Sequence, residues 1–194
     1  MTPDAGLKAQ LRRLALARRA TLPPAARERF SKRLVAEGLA LSRRFAAASV
    51  SAFYPFRDEP DALALLAALA AEGAATALPI TVSRGQPLIF RRWRPGDPTV
   101  PGQMRIPEPQ AEAPALDPDL LFVPLSVFDR RGHRIGYGAG HYDRTLAALR
   151  AQKPITAVGV AYGVCEVDAI PAEPHDEPLD FILTETELIE AKTG

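Results

Sequence analysis

The sequence predicts an α/β domain in which a mostly parallel sheet is flanked by helices, with a nucleotide loop at the strand ends. Three observations predict it. The runs LLFVP at 120–124 and ITAVGVA at 155–161 are near-continuously apolar, the mark of strands buried on both faces. Strand patterns alternate with helical ones, which implies a parallel sheet covered by helices. The glycine loop GYGAG at 136–140 follows the first of these strands and a polar turn, and leads into a helical pattern. At 194 residues the chain is read as one domain, 1–194.

Leu7, Leu11 and Leu14 recur at helical spacing and predict the buried stripe of an N-terminal helix. Lys8 and Arg12 are four apart and share another face of it. The stretch TLPP at 21–24 breaks this helix, and a second is predicted over 25–41 with Phe30, Leu34 and Leu41 toward the core. Residues 49–54 predict a strand that stops at Pro55. Asp61 is the expected N-cap of a helix over 61–72. Residues 76–80 and 87–93 predict two more strands, and the proline-rich stretch 94–118 is expected to be loop. After the strand at 120–124 come a polar turn at 129–132, the glycine loop, and a helix to about 150. The strand at 155–161, a polar stretch over 170–180 and a last strand at 181–184 complete the chain.

Composition narrows the function. Apolar residues make up 47% and charged residues 24%, as in ordinary globular proteins. The single Cys165 has no internal disulfide partner, which fits a reducing, cytoplasmic setting, and it reads as a buried small hydrophobe. No stretch reaches the roughly 18 apolar residues of a membrane span. The N-terminal cations are not followed by the apolar segment of a signal peptide. Basic residues dominate 1–44 and acidic ones 151–194, yet the net charge is +1. A basic arm serves nucleic acid, a polyanionic small molecule or merely a solvated helix face, and the near-neutral total argues against a dedicated nucleic-acid binder.

The glycine loop carries the chemistry. Without Cβ atoms the backbone can approach an anion closely and aim N–H groups at it, and a helix N-terminus adds unpaired donors. Arg131, Arg134 and Arg144 bracket the loop and suit phosphate oxygens. Asp143 beside a phosphate loop is what Mg²⁺ prefers, a carboxylate completed by phosphate oxygens. The spacing is G-x-G-x-G, which is neither the dinucleotide pattern nor a Walker loop, and no G-x-S-x-G occurs. A glycine-rich turn with no ligand fits the composition equally well.

The longer run from Pro124 through Phe128, Asp129, Gly132 and RIGYGAGHYDR at 134–144 resembles the signature of the 5-formyltetrahydrofolate cyclo-ligase family. Other segments share the resemblance: Lys8 and Arg12, Y-x-x-x-x-E at Tyr54 and Glu59, IPEP at 106–109, and P-x-E-x-H-D-x-x-L-D over 171–180. It implies a single α/β domain that uses ATP to convert 5-formyltetrahydrofolate to 5,10-methenyltetrahydrofolate. It implies phosphate contacts from Lys8, Arg12, Arg134, Ile135, Gly136, Tyr137, Gly138, Ala139, Gly140, His141 and Tyr142. It implies folate contacts from Tyr54, Glu59, Tyr137 and His141, with Trp93 as core or pterin wall. Asp143 and Asp176 are the implied Mg²⁺ carboxylates. Three departures stand out: Ala139 where glycine or lysine is usual, His141 where an aromatic is usual, and Ser126 where glycine is frequent. His133 and His175 read as solvated, and Glu108 is outside the implied site. The partners expected are folate and ATP, with no membrane, and the chain is expected to be a monomer. The rival expectations are an inactive nucleotide-binding regulator and a nucleic-acid-binding module.

Overall fold

The computed structural model describes residues 3–83 and 85–191. Its first half comprises helices α1 (Pro3–Ala20) and α2 (Pro24–Arg44), strand β1 (Ser49–Ser51), helix α3 (Leu63–Ala71), and strands β2 (Ala75–Ile80), β3 (Ile89–Arg92), β4 (Thr99–Pro101) and β5 (Pro107–Pro109). Strands β6 (Leu120–Pro124), β7 (Val127–Phe128) and β8 (Arg134–Ile135) follow, then helix α4 (His141–Arg150) and strands β9 (Thr156–Val160), β10 (Phe181–Leu183) and β11 (Leu188–Glu190).

Seven strands form one sheet in the order β11-β10-β9-β6-β1-β2-β3. The five inner strands run parallel, and β3 and β11 close the edges antiparallel. The two apolar runs singled out in the sequence become the adjacent central strands β6 and β9, paired Leu120↔Thr156 through Pro124↔Val160. Their side chains are buried almost throughout, because helices cover both faces of a parallel sheet. Gly159 of β9 belongs to this packing. A Cβ there would lie 2.5 Å from Leu179 and 2.7 Å from Leu125. Gly159→Ala overpacks the sheet and lowers unfolding stability by about 1–3 kcal/mol in denaturant titration. An unchanged midpoint would mean that the neighbours yield freely.

The structure differs from the sequence reading at several places. The predicted strand at 49–54 pairs regularly only over Ser49–Ser51, after which the chain peels off toward Pro55, which has no N–H to donate. The predicted loop 94–118 contains the β4–β5 hairpin, and its prolines are tolerated because a two-stranded ribbon has free edges. Strand β11 was not anticipated. Asp61 lies one residue ahead of the helix boundary, though its carboxylate still accepts the Leu63 N–H at 2.9 Å.

The largest correction concerns α1. Leu7 and Leu14 are 42% and 45% exposed, so they do not form the buried stripe. Ala15 and Arg19 are buried instead, Leu11 packs partly against the core, and Lys8 and Arg12 turn inward with them. The helix trades two leucine contacts for ion pairs and hydrogen bonds inside a cleft. No helix among the described residues is long and apolar enough to cross a membrane.

Candidate active site

A cleft of about 560 Å³ opens at the carboxyl ends of the inner strands. Phe53 and Tyr54 enter it after β1, Pro79 and Thr81 from the end of β2, and Pro124 from the end of β6. This is where an open parallel sheet diverges to leave a crevice. Helix α1 supplies Lys8 and Arg12 to one wall, the glycine loop and the start of α4 supply another, and the β4–β5 hairpin supplies Met104, Ile106 and Glu108.

The glycine loop is held from both sides. Arg12 Nε donates to the Gly136 carbonyl at 2.6 Å, and its guanidinium lies against Gly138. Arg144 donates to the Ala139 carbonyl from behind. Gly138 and Gly140 have φ of +98° and +63°, a region costly to residues with a Cβ. Gly140 is also the N-cap of α4 and no side chain caps that terminus, so first-turn N–H groups are left for a ligand. The loop therefore has the backbone shape and the donors that an anion requires.

Asp143 lies in the first turn of α4. Its Oδ1 accepts from Arg134 at 2.7 Å and from the Glu177 N–H at 3.3 Å, and Oδ2 has no hydrogen-bond partner among the described residues. Arg134 is nearly enclosed, with 5% side-chain exposure, and also donates to the Glu177 carbonyl. Burial lowers the Arg134 pKa, against the opposing pull of Asp143 and Asp176. Across the cleft Lys8 Nζ lies 2.9 Å from Asp176 Oδ2 and 4.0 Å from Glu173. Burial alone would raise the Asp176 pKa, but hydrogen bonds from Lys8 and the Glu173 N–H outweigh it and hold the carboxyl below its ordinary value. His175, 70% exposed, sits 3.2 Å from Glu173.

A second constellation joins the loop to the segment that follows β1. Tyr137 donates its hydroxyl to Glu59 Oε1 at 3.0 Å and accepts from Arg19 at 3.1 Å. Glu59 Oε2 accepts the Phe56 N–H at 2.9 Å, and Arg19 lies 3.9 Å from Oε1. The Glu59 and Arg19 side chains are only 5% and 3% exposed. Burial raises the Glu59 pKa, opposed by the Phe56 N–H, Arg19 and Tyr137. Burial likewise works against the charge of Arg19, but Tyr137 and Glu59 outweigh it and its pKa is raised.

Nearly all of the anticipated residues converge on this cleft: Lys8, Arg12, Tyr54, Glu59, residues 134–143 and Asp176 all line it. Trp93 does not. It is buried among the β2–β3 residues, its indole donates to the Asp97 carbonyl, and its own carbonyl accepts from Thr76, so it is a core residue. Arg131 is likewise outside the cleft, tied to Asp129 and the Ile170 carbonyl, and Arg144 props the loop rather than facing the cavity. Sequence reasoning missed Arg19, Met104 and Ile106 and set Glu108 aside. Arg19 had a signal, since it lies two helical turns beyond Arg12 on the same face. Lys8, Arg12 and Arg19 of α1 are thus turned inward, while Arg13 and Arg18 on the same helix stay exposed.

The chain was then compared with known proteins. The 5-formyltetrahydrofolate cyclo-ligase family model matches residues 4–185. A 5-formyltetrahydrofolate cyclo-ligase of Mycolicibacterium smegmatis is 36% identical over 188 residues, covering 91% of this chain and 93% of the relative. One from Escherichia coli is 32% identical over 148 residues, covering 73% and 80%. Among solved structures, the 5,10-methenyltetrahydrofolate synthetase of Aquifex aeolicus superposes with a TM-score of 0.79 at 27% identity, covering 97% of this chain and 94% of its own. The Mycoplasma pneumoniae synthetase gives 0.72 at 21% identity, covering 95% and 99%, and shares the fold.

Proposed function

Since the chain belongs to the 5-formyltetrahydrofolate cyclo-ligase family, we propose how its cleft divides the work of closing the folate ring. The enzyme is a ligase that uses ATP to convert 5-formyltetrahydrofolate to 5,10-methenyltetrahydrofolate. The N-formyl group is a poor electrophile because its nitrogen lone pair is delocalised into the carbonyl. Its oxygen attacks the γ-phosphorus of ATP, ADP leaves, and the formyl carbon becomes an activated imidate. The substrate's N10 attacks that carbon, the ring closes, N10 loses its proton, and phosphate departs with the former formyl oxygen. Both nucleophiles belong to the substrate, so the protein needs no nucleophile of its own. Cys165 fits this account: it is buried, and desolvation, partly opposed by Arg19, raises its thiol pKa to about 11.

The protein's task is alignment and charge neutralisation. On this reading the 136–140 loop cradles the ATP phosphates, with Lys8, Arg12 and Arg134 offsetting their charge. Glu59 and Tyr54 hold the folate, and residues 137–141 line the junction where the formyl oxygen meets the γ-phosphorus. The observation that carries the reading is the Tyr137–Glu59 hydrogen bond, which ties the 136–140 loop to the Glu59 carboxylate through one phenol. Asp143 and Asp176 suit a hard cation such as Mg²⁺, since both are carboxylates on the cleft wall and Asp143 keeps Oδ2 without a hydrogen bond among the described residues. Bound there, Mg²⁺ would neutralise developing phosphate charge. Folate and ATP are the partners of this site, and we read the protein as a cytoplasmic monomer.

The test follows the oxygen. With substrate labelled by ¹⁸O in the formyl group, one labelled atom appears in the released phosphate per turnover. Label that ends in bulk water would contradict phosphorylation of the formyl oxygen.

A further inference from the structure

We propose that Glu108 reads the pterin end of the folate, accepting the paired N–H donors of its 2-amino-4-oxopyrimidine edge. The inference rests on the cyclo-ligase reading of the cleft and adds a specificity residue to it. Five carboxylates line the cavity: Glu59, Glu108, Asp143, Glu173 and Asp176. Glu59 accepts from Phe56 and Tyr137 and has Arg19 3.9 Å from Oε1, so its charge is already opposed. Asp143 is paired with Arg134, Asp176 with Lys8, and Glu173 with His175 and, at longer range, Lys8. Glu108 is the one with no cation partner among the described residues. Among the described residues its one hydrogen bond is from the Thr81 N–H to Oε1 at 3.1 Å, and Oε2 has none.

The carboxylate is held in a built position. It projects from β5 across the hairpin onto Gly102, where a Cβ would fall 2.1 Å from its Cδ. Only the absence of a side chain at Gly102 leaves room for it. Met104, Ile106 and Pro107 supply apolar surface on the same hairpin. An ionised carboxylate is an acceptor only, so a ligand beside it must bring donors. Phosphates are repelled. Adenine offers one N6–H donor next to the N1 acceptor, a poor match for two oxygens. The reduced pterin offers N3–H and the 2-amino N–H side by side, which pair with a carboxylate in the two-pronged way a guanidinium does. Oε1 retains a lone pair beyond the Thr81 contact.

That edge of the ring is remote from N5 and N10 and is unchanged by the reaction. Glu108 therefore contributes equally to substrate and transition state, and its loss shows in KM rather than kcat. Steady-state kinetics with each substrate varied at saturation of the other test this. Glu108→Gln raises KM for 5-formyltetrahydrofolate about 10–100-fold, with kcat and KM for ATP within about twofold. Gly102→Ala keeps the charge but displaces it, so it raises the same KM, and it adds nothing in a Glu108→Ala background. An unmoved folate KM in Glu108→Gln, a shift in KM for ATP instead, or additive effects of Gly102→Ala and Glu108→Ala would overturn the proposal. Wild-type protein that turns over normally while Glu108→Gln is unchanged sinks this inference alone. Wild-type protein without turnover sinks the underlying reading as well.

Discussion

Glu59→Gln lowers kcat/KM for 5-formyltetrahydrofolate by about 100- to 1,000-fold, the loss expected when a buried charged acceptor among fixed donors is replaced by an amide. Glu59 is almost enclosed, and three donors point at it: the Phe56 N–H, the Tyr137 hydroxyl and, at longer range, Arg19. An amide turns an N–H group toward at least one of them. The charge matters as well as the shape. Burial already raises the Glu59 pKa, and Arg19 is the cation that opposes this. Arg19→Met removes that opposition, so Glu59 stays protonated to higher pH. The acidic limb of the kcat/KM profile, read from pH-dependent initial rates, then moves to higher pH, and Arg19→Lys restores part of the shift. A limb that stays in place in Arg19→Met would mean that another group sets it.

The second large effect is on stability. Asp129 has no exposed side-chain surface. Its Oδ1 accepts the N–H groups of Arg131 and His133 at 2.9 and 3.3 Å, and its Oδ2 accepts the Ile170 N–H and an Arg131 guanidinium N–H at 2.9 and 2.7 Å. One carboxylate thereby closes the β7–β8 turn and pins it to the segment leading to the 173–176 wall of the cleft. Asp129→Ala leaves these donors unpaired and lowers unfolding stability by about 3–5 kcal/mol in chemical denaturation. Burial alone would raise its pKa, but the Arg131 side chain and the backbone donors of Ile170 and Arg131 outweigh it and lower the value. The sign follows from that depression. The stabilisation is complete above the unfolded carboxyl's value of about 4 and is lost as pH falls through the lower folded value. Stability measured from about pH 5 to pH 2 should fall less steeply in Asp129→Asn than in wild type. A wild-type slope in that variant would remove Asp129 from the acid response.

What the sequence made legible was local. The loop at 136–140 was legible as a candidate anion cradle from its glycines beside a helix start, and the two apolar runs declared the central strands β6 and β9. Lys8, Arg12, Glu59, Asp143 and Asp176 were found by their resemblance to a family pattern, and the fold brings them to one cleft. The failures required tertiary information. Spacing on α1 nominated Leu7 and Leu14, but which face turns inward depended on acceptors far away in the chain, such as the Gly136 carbonyl and Asp176. Trp93 has a ring that suits a ligand wall as well as a core, and only the position of β3 away from the cleft decides between them. Prolines concealed the β4–β5 hairpin, and with it the placement of Met104 and Glu108 against the site. Ser126, flagged as a departure from the family pattern, is buried with an unpartnered hydroxyl, and nothing in the structure explains it.

If this cleft closes the folate ring at the expense of ATP, with Asp143 beside the phosphates, product must form only when ATP and Mg²⁺ are both supplied. The most direct measurement mixes the protein with 5-formyltetrahydrofolate, ATP and Mg²⁺ and follows the near-ultraviolet band of the conjugated methenyl product, with Asp143→Asn run in parallel. The variant keeps an oxygen acceptor for the Glu177 N–H and replaces the charge and Oδ2 with an amide NH2. The expected result is a rise that requires both ATP and Mg²⁺ and is slowed by about 100-fold or more in the variant. A folded, ATP-binding wild type that produces no such band, or a variant as fast as wild type, would contradict it.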